Sequence, residues 1–116
     1  MKLSVIALAA TLALGALTGQ VQAKIVIEGR SAQALNCAAI QFSAMEVLFS
    51  GGLIDNAKRD AAQEMAVQYL QHVPGTRKQR MRAMRMRLVS LNEKLDLIGL
   101  LEQWEGSQRW CERNFS

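Results

Sequence analysis

The sequence predicts an all-α fold: a small bundle of three to four antiparallel helices behind a cleavable signal peptide, closed by one disulfide. Three observations carry this expectation. Half of the residues are hydrophobic and only one is proline, and the dominant types (Ala, Leu, Met, Gln, Glu, Arg) are good helix formers. Apolar residues recur at alternating steps of three and four, the spacing of one helix face. Breakers end two of these runs, at Gly51-Gly52 and at Pro74-Gly75.

The amino terminus sets the compartment. Lys2 gives a short positive start, Val5 to Leu17 is uncharged and mostly apolar, and Val21 and Ala23 place small residues before a cut after Ala23. The apolar run of about 13 residues is shorter than the roughly 20 of a membrane-spanning helix. Residues 1–23 therefore read as a signal peptide, 24–30 as an extended lead-in and 31–116 as a single helical domain, too small to divide. Export is the expected fate, to the periplasm first and to the medium as the alternative.

Cys37 and Cys111 are the two cysteines. In an oxidising compartment an even pair in a small domain reads as a disulfide, with two buried thiols as the alternative. The loop so closed holds about 75 residues, for which chain entropy gives roughly 4 kcal/mol of stabilisation. No Cys-x-x-Cys pair supports redox or zinc chemistry.

The first helix starts after Ser31 as its cap and ends at about Ser50. Leu35, Ala38, Phe42, Met45 and Phe49 form its main stripe, with Ala34, Cys37, Ala44 and Leu48 beside it. So few charges in so long a helix place it centrally in the bundle. Asp55 caps a second helix reaching Val73, whose face is Ala57, Ala61, Met65, Tyr69 and Val73, widened by Ala62, Ala66 and Leu70. Thr76 to Gln79 fits a capping box and opens a third helix. Its apolar stripe, Met81, Met84, Leu88, Leu91, Leu95 and Ile98, runs unbroken and argues for one helix from 77 to about 104. A second capping-box match at Ser90 to Glu93, and Gly99, permit a break. A disulfide favours the break, because an unbroken helix of about 28 residues is roughly 42 Å long and carries Cys111 far from Cys37. A bridge between two chains, or no bridge, are the alternatives.

Chemistry-bearing constellations are poor. His72 is the one histidine and stands at a helix end, where helix carbonyls are its natural partners. No Glu-x-x-His pair, phosphate loop or local nucleophile–base arrangement is present. Glu93 and Asp96, at i and i+3, make a weak metal pair at best. No enzyme activity, cofactor or metal is expected.

Charge is concentrated instead. Residues 77–92 carry six basic side chains and no acidic one, whereas 93–116 carry three basic and five acidic. On a helical wheel Met81, Met84 and Leu88 form a narrow stripe, with Lys78, Arg82 and Arg85 on one flank and Arg80 and Arg87 on the other. Gln79, Ala83 and Met86 face away. One reading is a core rimmed by arginine stems with wet heads. The other is a face for an anionic envelope surface or an acidic protein, carried by Lys78, Arg80, Arg82, Arg85 and Arg87. The acidic C-terminal residues can also absorb this charge, within the chain or across a homodimer. Export argues against nucleic acid as partner.

The expected function is therefore a small exported non-catalytic helical binding protein with a basic Met/Arg helix face. The alternatives are a stress-type holdase chaperone and a structural subunit of an envelope assembly. In size and layout alone the chain is similar to periplasmic acid-activated chaperones.

Overall fold

The computed structural model describes residues 26–116. The expected signal peptide, with Lys24 and Ile25 of the lead-in, lies outside the described residues. The fold is all-helical, with four helices and no strand among the described residues: α1 (Arg30–Ser50), α2 (Asn56–Leu70), α3 (Arg77–Lys94) and α4 (Leu97–Phe115).

α1 is the central helix and packs against the other three. Its small residues allow this: Ala34, Cys37, Ala38, Ala39 and Ala44 are buried beside Leu35, Ile40 and Met45. Its cap differs from the expected Ser31. The cap is Gly29, which has no side chain to offer, and Gln33 N–H donates to the Gly29 carbonyl at 3.1 Å. Gly29 has φ +57°, a conformation that L side chains rarely adopt. At the other end Leu53 N–H donates to Leu48 O and Gly52 N–H to Phe49 O, the paired bonds of a Schellman motif with Gly52 at φ +74°.

Asp55 caps α2 as its sequence suggests, its Oδ1 accepting from Lys58 N–H at 2.8 Å. The last turn tightens through bonds from Gln71, His72 and Val73 to carbonyls three residues back. The buried face of α2 is Ala62, Ala66, Tyr69 and Leu70; Ala57 and Ala61, expected on that face, are exposed. Arg59 joins α2 to α1. Its Nε donates to Glu46 Oε1 at 2.8 Å, and its guanidinium lies 4.2 Å from the centre of the Phe49 ring. That guanidinium holds the Glu46 carboxyl below its usual range.

The Thr76–Gln79 capping box is complete, with both reciprocal bonds formed. α3 ends at Lys94, so the chain breaks between the two expected places. Leu95 is extended, and Asp96 caps α4 by accepting from Gly99 N–H at 2.7 Å. The Ser90–Glu93 match lies inside α3 and starts nothing. Glu93 and Asp96 are thus not on one helix, and Ile98, expected in the continuous stripe, is 66% exposed.

The break returns α4 along α1 and brings Cys111 to Cys37. The two form a disulfide with a Cα–Cα separation of 5.8 Å. Tyr69, Val73 and Phe115 are the largest fully buried side chains and share one core cluster with the disulfide.

Candidate functional site

The basic segment is the first candidate, and packing has rotated it relative to the sequence wheel. Met84 and Leu91 are buried, and Arg80, Ala83, Arg87, Leu88 and Leu95 are half-buried. The inner face of α3 is therefore shifted from the expected stripe towards the Arg80 and Arg87 flank. Met81 is exposed, and Ala83, expected to face away, packs against the core.

This rotation divides the five expected basic residues into two groups. Arg87 is turned onto α1, where its Nε and Nη2 donate to Asn36 Oδ1 at 2.9 and 2.6 Å. Arg80 Nη1 donates to the Gly75 carbonyl at 3.3 Å. Arg87 thus ties α3 to α1, while Arg80 bonds the α2–α3 connection just before its own helix. Lys78, Arg82 and Arg85 are exposed and make no hydrogen bond or ion pair with the described residues. Within the chain the acidic residues Glu93, Asp96, Glu102, Glu105 and Glu112 form no ion pair with them, since Arg59–Glu46 is the one ion pair among the described residues. The same outer face presents Met81, Met86 at 68% exposure and Val89 at 58%. The outer surface of α3 is thus a mixture of free cations and exposed apolar side chains.

The closed end of the bundle is the second candidate, and its chemistry is structural. Arg30 Nη2 donates to the Asn114 carbonyl at 2.7 Å, and the guanidinium sits 4.7 Å from the centre of the Phe115 ring. His72 Nε2 lies 3.0 Å from the Phe115 carbonyl, and its ring packs on Phe115 at 5.1 Å between centroids. A carbonyl oxygen only accepts, so Nε2 carries the proton. His72 does meet a helix C-terminus, but that of α4 and not of its own helix. Trp110 meets Phe115 edge-on at 5.6 Å. These contacts satisfy terminal carbonyls that a helix cannot pair internally.

The third candidate joins Trp104 to Gln41, a pairing that the sequence does not show. α2 and α4 both pack on α1 but touch each other at few points, leaving a groove of about 270 Å³ between them. Gln41 of α1 lies in it, only 6% exposed, and its Oε1 accepts from Trp104 Nε1–H at 2.8 Å. Two signals were present in the sequence: a Gln inside the apolar run of α1, and a Trp whose N–H needs an acceptor once buried.

Among the described residues no group of three His, Cys, Asp or Glu side chains gathers as metal ligands, and no helix is long and apolar enough to cross a membrane. Comparison with protein-family models, with curated proteins and with solved structures finds no match to this chain.

Proposed function

We propose that this chain is an exported, non-catalytic binding protein that docks the outer face of α3 on an anionic lipid surface. The carrying observation is the outward group of Lys78, Arg82 and Arg85, exposed and unpaired, interleaved with exposed Met81, Met86 and Val89. Cations alone suit any anion. Cations among apolar side chains suit a lipid interface, which offers phosphates above an apolar layer. Methionine is a flexible side chain for such a boundary. The disulfide fits an oxidising compartment and so supports export.

Co-sedimentation with phosphatidylglycerol and phosphatidylcholine vesicles tests this reading. Binding is expected to the anionic vesicles only, and to weaken with salt. Replacing Lys78, Arg82 and Arg85 together by Gln should weaken it by about a hundredfold, given the usual attraction of each basic side chain to an anionic surface. Arg80→Gln should change it little, because that side chain is half-buried and bonded to the Gly75 carbonyl, off the outer group. Equal binding to both vesicles, or to neither, removes the proposal.

A further inference from the structure

We infer a second binding site, independent of α3: the groove between α1, α2 and α4 takes an apolar carboxylate of medium chain length. The groove is small, near the lower end of the roughly 300–1,000 Å³ typical of small-molecule pockets. That size suits a single chain or ring system and not a whole phospholipid.

Its lining specifies both halves of such a ligand. Met45 of α1, Met65 of α2 and the Trp104 indole of α4 supply apolar, adaptable walls. The polar groups are donors or cations in excess of acceptors. Gln41 is more than nine-tenths buried, and Trp104 fixes its amide orientation, because an indole N–H donates and can only meet the oxygen. The Gln41 NH₂ group is left in the groove without an acceptor among the described residues. That NH₂ group is reached from the groove rather than sealed in the core, so it is open to an acceptor that enters there. Lys58 is the only charged side chain lining the groove, and its ammonium makes no ion pair with the described residues. No carboxylate lines the groove to satisfy either group. An anionic acceptor on an apolar body complements all of these features at once, and a carboxylate is the smallest such head.

Trp104 makes the site observable. Trp110→Phe leaves Trp104 as the single tryptophan, and the protein as isolated from its producing cells can then be titrated with decanoate. A saturable change in Trp104 emission is expected below the micellar range. Decanol should bind about tenfold more weakly, and so should decanoate to Lys58→Gln, the cost of losing one charge-assisted contact. Ala61 lines the groove yet is exposed, so Ala61→Phe should fill its mouth without entering the core and abolish the response. Gln replacement of Lys78, Arg82 and Arg85 should leave decanoate binding unchanged, which separates this site from the α3 face. A missing Trp104 response overturns the inference. So does an undiminished response in a folded Ala61→Phe protein, and so does decanol binding as tightly as decanoate.

Discussion

Tyr69 is 1% exposed and its hydroxyl is the one buried side-chain polar atom without a partner among the described residues. Burial, with a smaller contribution from the Glu112 charge, pushes this phenol up to about 12. The ring contributes apolar packing to the core, while the hydroxyl contributes only the cost of its own desolvation. Tyr69→Phe should therefore stabilise the protein at neutral pH, by about 1 kcal/mol in urea unfolding. The pH dependence follows from the raised value. An unfolded tyrosine titrates near 10, so the contribution of the neutral phenol is complete below about pH 10 and is lost as pH rises through about 12. The Phe variant should lack that part of the alkaline decline. Tyr69 is the only tyrosine, so phenolate absorbance reads it directly. An absorbance midpoint near that of free tyrosine, or a less stable Phe variant, would contradict an unpartnered buried hydroxyl.

At the scale of elements, the junction between α3 and α4 decides the topology. Asp96 alone supplies the side-chain cap of α4. Asp96→Ala should cost about 1 kcal/mol in urea unfolding, and Asp96→Asn should recover most of it. Ser90→Ala, inside α3, should cost much less; the reverse ranking would place the break at the second capping-box match. The local signals were legible here: the Asp55 cap, the Thr76 box, the glycine end of α1 and the helix-forming composition. Local chemistry specifies such features, so a linear reading finds them. The rotation of α3 is not legible, because a wheel places arginines on both flanks of the stripe alike and does not say which flank turns inward. Arg87 turns in because Asn36, half-buried on α1, offers an acceptor there, and that is a pairing between residues 51 apart. The α2–α4 groove is not legible for a related reason: Gln41 and Trp104, 63 positions apart, meet only after the chain has folded.

Across the whole molecule, one covalent bond links the first and last helices. The Cys37–Cys111 disulfide joins positions 74 apart, and it acts chiefly by limiting the unfolded chain. Replacing both cysteines by Ala should lower stability by roughly 4 kcal/mol on the loop-entropy estimate. Against the usual total of about 5–15 kcal/mol this leaves the bridged fold secure and the unbridged one marginal. Guanidinium unfolding of the two proteins measures the difference; a loss below about 1 kcal/mol would contradict a mainly entropic role for so long a loop. The two proposed sites should also respond unequally. α4 forms one wall of the groove through Trp104 and is the helix that the bridge holds to α1. α3 is held by Arg87 and by Met84 and Leu91 in the core, not by the bridge. Loosening α4 should thus weaken decanoate binding before vesicle binding, under conditions where the unbridged protein remains folded. Equal loss at both sites would instead mean that the four helices open as one unit, with the bridge stabilising all of them alike.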